Sequence, residues 1–413
     1  MTRTVIQCGV LFDGRLTPPR TNAAVVVEDG VVVEVADLTE VDMSTATAVA
    51  DHRDATVTPG LVDAHVHTSW GRDDQAGWDW AGTSAVGHFA WGLAGARAAL
   101  AAGVTTVRDC GGPGLVTLQV RDAIATGLHP GPRMRVCGPC VTTTAGHGDF
   151  IGVTADDVGE LRKRVRELTV AGVDHIKIMA TGGDMDPHTN RRRPQYDDEE
   201  LAAVIGDAHR LGLTVVAHCN ATAGIRGAVQ AGIDTIAHCN WLGEVEGTID
   251  YDRDLARQIV DRGVFVDLNV AATIRPLAEF DGLEEEWEGW DLPPANRWEL
   301  HREIRAAGGR ILFSSDEFGE DLATFPQLLA RAARELGIAT EEVVHRASDV
   351  PAQALGLGTE IGTLVPGRRA DLSVFAGDLR SDPDGFGSCR EVWQGGIRVV
   401  RDGAVVVPGG GPA

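Results

Sequence analysis

The chain has 413 residues and a formal net charge of −23, enough length for one large core and a smaller second domain. So acidic a balance argues against nucleic acid or an anionic membrane as a partner. No apolar run approaches the ~20 residues a membrane-spanning helix needs, and Met1-Thr2-Arg3-Thr4-Val5 does not begin a signal peptide.

The predicted elements start with Ala24–Val35, two β-branched runs around Asp29-Gly30, which reads as a β-hairpin. Eight short apolar runs follow, over Leu61–His67, Val104–Cys110, Arg133–Gly138, His175–Ala180, Thr214–Cys219, Thr235–Cys239, Val264–Asn269 and Arg310–Ser315. Apolar residues at helical spacing predict helices over Ala90–Ala101, Asp156–Ala171, Asp197–Leu211 and Asp252–Arg262. Asp197-Asp198-Glu199-Glu200 gives the third helix an acidic first turn, which suits the helix dipole. Strands alternating with helices imply a parallel sheet, and eight repeats imply an α/β fold of the (β/α)8 TIM-barrel class. Glu391–Val407 is a second hairpin-like stretch, so the two chain ends are expected to meet in one small β-sandwich. The expected division is 59–359 for the barrel, with 1–58 and 360–413 for the sandwich. Pro408–Ala413 reads as a frayed tail. After the seventh strand, Phe280–Trp298 carries four glutamates with Trp287, Trp290 and Trp298. It is either a cover over the barrel mouth or a solvated helix with its tryptophans packed on the barrel.

Chemistry in such a barrel sits at the C-terminal strand ends, and the candidate ligands fall there. His65 and His67 form a His-x-His pair, and residues i and i+2 of a strand share a face. His218 and His238 each close an apolar run with the same word, Ala-His-Cys-Asn, and Asp316 closes the last run. Cys219 and Cys239 are then expected on the opposite face. The remaining feature is a lysine. Among 37 basic residues only Lys163 and Lys177 are not arginine. Lys163 lies in a charged run and looks replaceable. Lys177 lies in Asp174-His175-Ile176-Lys177-Ile178-Met179, where a free ammonium is costly to bury. Lysine can lose its proton on burial and arginine cannot; the neutral amine can take up carbon dioxide as a carbamate. The plainer alternative is a buried lysine paired with a carboxylate. Four histidines, an aspartate and this lysine at strand ends read as a site for zinc or a related divalent ion. Seven cysteines lack metal-finger spacing and fit a reducing cytoplasm.

The order His-x-His, Lys, His, His, Asp resembles the amidohydrolase superfamily. So do the words Pro59–His67, Ala102–Asp109, Ile176–Ile178, Val216–His218, Ile236–His238, Ser315-Asp316 and Gly362–Leu372. The resemblance covers essentially the whole chain. Thr144–Gly148 and Ala180–Gly183 are most similar to the dipeptidase and carboxypeptidase branch, with its proline dipeptidases and arginine carboxypeptidase-like enzymes. The resemblance implies that His65, His67 and Asp316 bind one metal ion, that His218 and His238 bind a second, and that N6-carboxylated Lys177 bridges them. It implies a hydroxide between the metals, with Asp316 taking its proton and passing it to the leaving amine. The implied reaction is hydrolysis of an amide C–N bond in a small molecule, a dipeptide or N-acyl amino acid. Two divalent ions, zinc first, are the expected cofactors. A small-molecule substrate and a homo-oligomer are the expected partners.

His147, in a glycine-flanked loop after the third strand, is a candidate catalytic electrophile and substrate ligand, or else a solvated loop histidine. Arg191-Arg192-Arg193 either meets an anionic substrate group or is a solvated loop. Trp241 stands where dipeptide-cleaving members commonly carry a tyrosine, which makes it a candidate substrate contact without a hydroxyl. Ser314-Ser315-Asp316-Glu317-Phe318 stands where Gly-Thr-Asp-Ala-Gly is usual. A deaminase of the superfamily is disfavoured by Lys177 and by Ala221, at a position where such enzymes place a glutamate. Hydrolases that open a lactam, imidazolone or lactone ring stay open. A non-enzymatic relative is disfavoured, because the full ligand set is present.

Overall fold

The computed structural model describes residues 2–70, 83–185, 187–275 and 295–406. Asp29 and Gly30 take positive φ, 47° and 84°, as a type I′ hairpin turn requires. Arg20–Glu28 accordingly pairs antiparallel with Val31–Asp37. Arg3–Leu11 joins on the other side, and Ala48–Pro59 lies parallel to it. Leu372–Ala376, Cys389–Gln394, Ile397–Arg401 and Ala404–Val405 extend the same sheet from Ala48–Pro59. The two chain ends therefore meet, in one eight-stranded hydrogen-bonded sheet; two facing sheets are not distinguished in it. Its strands alternate faces. Val5, Ala24 and Val26 pack with Val41, whereas Ile6, Cys8, Val25 and Val27 pack with Val57, Leu372 and Val374.

The eight inner strands are Leu61–His67, Val104–Asp109, Arg133–Val136, His175–Met179, Thr214–Ala221, Thr235–Leu242, Phe265–Asn269 and Arg310–Ser314. They pair in parallel, but in two sheets. The first three share one with Glu317–Phe318, and the last five share another with Val141–Thr142 and Val153–Thr154. Single backbone bonds cross the seams: Asp174 N donates to Val136 O at 2.8 Å, and Asp316 N donates to His65 O at 2.9 Å. The expected barrel is thus not closed by a continuous ladder among the described residues. The break after Val136 has a local cause. Gly138 takes φ of 68°, and Pro139 brings no N–H to a ladder.

The helix expected over Ala90–Ala101 starts earlier, at Ala85, where Ser84 caps it; the other three predicted helices lie close to their expected places, because aspartates start them. Asp157 caps Val158–Ala171, Asp197 and Glu200 form a capping box on Asp198–Arg210, and Asp252 caps Arg253–Asp261. Leu161, Val165, Leu201, Ile205, Leu255 and Ile259 are buried on their inner faces against Ile176, Ile178, Val215 and Ile236. Each such side chain contributes roughly 1.5–3 kcal/mol on burial. This packing holds the strand ends in place around the site. Trp298 is buried, with the Arg305 guanidinium 3.7 Å over its ring and Phe313 at 5.6 Å. That tryptophan packs on the eighth strand. Residues 280–294 of its segment and the 408–413 tail lie outside the described residues. Among the described residues, no helix is long and apolar enough to cross a membrane.

Candidate metal centre

His65, His67, His147, Lys177, His218, His238 and Asp316 line one cavity of about 310 Å³ at the strand ends. Two of these histidines have a fixed proton. His67 Nδ1 lies 2.9 Å from Gly111 O, and a carbonyl only accepts, so Nδ1 donates and Nε2 is the nitrogen left for the cavity. His65 Nδ1 lies 3.0 Å from Asp267 Oδ2, with the same consequence. Such outer partners typify histidines that bind a metal. Both Nε2 atoms face Asp316 Oδ1, at 3.4 Å and 3.5 Å. Asp316 Oδ2 accepts from Asn269 Nδ2 at 2.7 Å and lies 3.8 Å from His238 Nδ1. Lys177 Nζ, 1% exposed, is 3.0 Å from His65 Nε2. Donor atoms of His65, His238 and Asp316 all lie within 4.8 Å of one another. The His218 ring sits 4.5 Å from that of His238 and 4.5 Å from that of His147. Its Nε2 meets Asn220 Nδ2 at 2.8 Å and Gly182 O at 3.2 Å. Imidazole nitrogens, a carboxylate and a lysine amine converging on one buried cavity fit a divalent metal ion.

The electrostatics agree with that fit. Burial alone would push the Asp316 carboxyl up; His65, His67 and His238 outweigh it and hold the group well below the usual carboxylate range. Burial and then Lys177 push His65 down. The same two causes take His147 down to about 4, and burial takes His238 down to about 3. These imidazoles are neutral at pH 7, the form that ligates a metal. A stability prediction follows for the metal-free protein. His147 and His301, the latter taken to about 4 by burial, ionise near 6.5 in an unfolded chain. Their folded values are depressed, so the stabilisation is present above pH 6.5 and lost as pH falls toward 4. Each is expected to cost roughly 2 kcal/mol between pH 7 and pH 5. His65, His218 and His238 act in the same sense. Asp63, pushed up to about 8 by burial, acts in the opposite sense and offsets part of this. The urea midpoint of metal-free protein should fall from pH 7 to pH 5; a rise would contradict the assignment of buried neutral histidines.

Backbone strain marks the site. His238 and Asp316 take φ of 68° and 58°, and Cys239 and Trp241 take 50° and 56°, a left-handed region that side chains rarely adopt. Thr235–Leu242 nonetheless keeps the i, i+2 alternation: His238 and Asn240 line the cavity, while Cys239 and Trp241 pack in the core. The structure therefore does not bring Trp241 to the cavity. It is fully buried, its Nε1 donates to His301 Nε2 at 3.3 Å, and its ring lies 4.7 Å from Tyr251. His147 is brought there. Its backbone N donates to Gln195 Oε1 at 2.6 Å, and a Cβ on Gly183 would come within 2.4 Å of its ring. The arginine triplet does not line the cavity. Arg191 pairs with Asp184 at 3.0 Å, Arg192 donates to Gly243 O and Thr248 O, and Arg193 reaches Glu244 at 3.4 Å. Cys219 and Cys239 lie in the hydrophobic core.

The sequence reading passed over Asn220, Asn240, Asp267, Asn269 and Arg297. Phe265-Val266-Asp267-Leu268-Asn269 carried a usable signal, since polar residues alternate in an apolar strand just as in His-x-His. The repeated Ala-His-Cys-Asn word likewise placed each asparagine two positions past a histidine. Arg297 had no such signal.

The amidohydrolase family model matches residues 56–405. An ochratoxinase of Aspergillus niger is 31% identical over 257 residues, which cover 55% of this chain and 52% of that protein. The chain thus spans about half the length of the curated relatives it matches. The solved A. niger ochratoxinase superposes with a TM-score of 0.82 at 24% identity, covering 99% of this chain and 97% of that one. An Xaa-Pro dipeptidase with methionine bound gives 0.80 at 23% identity, over 96% and 99% of the two chains. A prolidase complexed with N-methylphosphonate-L-proline gives 0.79 at 28% identity, over 97% and 100%. The family model spans well over half of the chain, and the chain belongs to the amidohydrolase family.

Proposed function

We propose that this chain is a metal-dependent hydrolase that cleaves an amide C–N bond in a dipeptide or an N-acyl amino acid. The observation that carries this reading is Asp316 set among His65, His67 and His238, at 3.4, 3.5 and 3.8 Å. Family members generally use a divalent metal, and the donor set here supports two ions. His65, His67, His218, His238 and Asp316 would hold them, and a carbamate on Lys177 would lie between them; zinc suits these ligands. When bound, the ions would acidify a water toward hydroxide and polarise the substrate carbonyl. Asp316 takes a proton at Oδ1, the oxygen that faces the cavity histidines, because Oδ2 is held by Asn269. It then returns that proton to the leaving nitrogen, so that an amine rather than an amide anion departs. His147 is neutral and lines the cavity, where its ring would hydrogen-bond a substrate carbonyl oxygen.

The leaving group is the part of the substrate best supported. Arg297 is 2% exposed and lines the same cavity. Burial, and after it Arg191 and Arg275, push its guanidinium down to about 9. As a cation lining the cavity, it would suit the carboxylate of a leaving amino acid. The names of the relatives, a prolidase and an ochratoxinase, support amide cleavage but leave the substrate open. The test is incubation of metal-loaded protein with dipeptides, N-acyl amino acids and cyclic amides, with products identified by mass spectrometry. A free amino acid released from a linear amide is the expected product. Ammonia release, or opening of cyclic amides alone, would contradict the reading.

A further inference from the structure

The candidate ligands are divided between two sheets. His65 and His67 stand in the sheet of the first three inner strands, and Lys177, His218 and His238 in the sheet of the last five. No continuous ladder ties these sheets among the described residues, so the gap between the two groups depends on what else does. Arg108 crosses it. This residue lies on Val104–Asp109, in the first sheet, and is 2% exposed. Its Nε donates to Ala64 O at 2.7 Å, which anchors it to the residue before His65. Its Nη1 donates to Thr235 Oγ1 at 3.4 Å, and its Nη2 lies 3.8 Å from Asp267 Oδ2. Thr235 and Asp267 both belong to the second sheet. Asp267 is fully buried. Ser314 Oγ donates to its Oδ1 at 2.5 Å, and its Oδ2 is the oxygen that His65 Nδ1 meets at 3.0 Å. A carboxylate in such a place needs a cation. Among the described residues, Arg108 is the one arginine or lysine within ion-pair reach of it.

A guanidinium suits this position. Its donors form a rigid planar fork, so one side chain holds a carbonyl, a hydroxyl and a carboxylate in fixed directions. Arg108 does not line the cavity, so it acts through other residues. We propose that Arg108 is a positioning residue of the metal centre: it holds Asp267 against His65 across the seam and so sets the spacing between the two halves of the ligand set. The inference rests on the metal-centre reading above and on no particular substrate.

Zinc binding tests it. Zinc affinity would be measured by chelator competition on wild type, Arg108→Met, Asp267→Asn and the double variant, with circular dichroism as the check on folding. Arg108→Met keeps the side-chain length and removes the charge and the donors. It should weaken zinc binding about ten- to a hundredfold, the range for losing an outer partner of a metal ligand. The double variant should bind no more weakly than the weaker single variant, because Arg108 acts through Asp267. A residue that only stabilises the fold would lower the urea midpoint and leave zinc affinity alone. Wild-type affinity in folded Arg108→Met, or losses that multiply in the double variant, would therefore overturn the proposal. If Arg108→Met does not fold, Arg108→Lys decides. One ammonium cannot span three partners, so zinc binding about tenfold weaker is expected, and wild-type affinity overturns the proposal. If wild type takes up no zinc, the metal-centre reading fails, and the His65 Nδ1 proton resonance of metal-free protein decides the Arg108 contact by itself. Assigned by its loss in His65→Asn, that resonance should shift or vanish in Arg108→Lys. An unchanged resonance, or none in wild type, overturns the proposal.

Discussion

Asp316→Asn is expected to lower kcat/KM by at least ~10³-fold while leaving the fold intact, since acid–base catalysis alone is worth up to ~10⁴. The substitution isolates charge from shape. Asparagine tolerates the left-handed backbone that Asp316 adopts, φ 58°, and its side-chain oxygen can still accept from Asn269 Nδ2, now 2.7 Å from Oδ2. What it cannot do is take a proton beside His65 and His67 and return it to a leaving nitrogen. Steady-state kinetics with circular dichroism checks this. Activity within tenfold of wild type, with metal retained, would remove Asp316 from proton transfer.

Lys177→Ala is expected to cost about 10³-fold or more in activity, through loss of the bridging anion. Lys177 lies at the centre of His175–Met179, with Val216 opposite on the next strand. It is 1% exposed, so the truncation leaves a gap next to His65 Nε2, 3.0 Å from Nζ. A short carboxylic acid fits that gap and supplies the same bidentate anion. Acetate or propionate should therefore restore part of the activity to Lys177→Ala. Lys177→Arg keeps a positive charge but cannot form a carbamate, and it should be neither active nor rescued. An active Lys177→Arg enzyme would show that the residue serves only as a cation.

Much of this site was legible because the ligands obey strand geometry. His65 and His67 project together from Leu61–His67, and Asp316 meets both of them. Lys177 was legible as an exception to arginine usage, and its burial beside His65 agrees. The reading lost its footing at Trp241, which only the resemblance had set at the cavity: three positions past His238 it falls on the opposite strand face, in the core, where it donates to His301. Asp267 is 202 residues from the histidine it orients, a pairing that only the assembled strands reveal. The meeting of the two chain ends was legible from their hairpin words, but their union in one hydrogen-bonded sheet and the seams between the inner strands were not, because periodicity gives the face of a strand and not its neighbour. The hairpin turn and the helix starts were legible for the opposite reason: Asp29-Gly30, Asp157, Asp197 and Asp252 act on atoms a few residues away.

The most direct test of a carbamate-bridged binuclear centre is metal content per chain, measured on wild type and Lys177→Ala purified with zinc and bicarbonate. About two ions per wild-type chain are expected, falling to one or fewer in Lys177→Ala, because two cations that close need an anion between them. One ion per chain in both proteins would contradict the binuclear centre and leave Lys177 as a buried structural lysine.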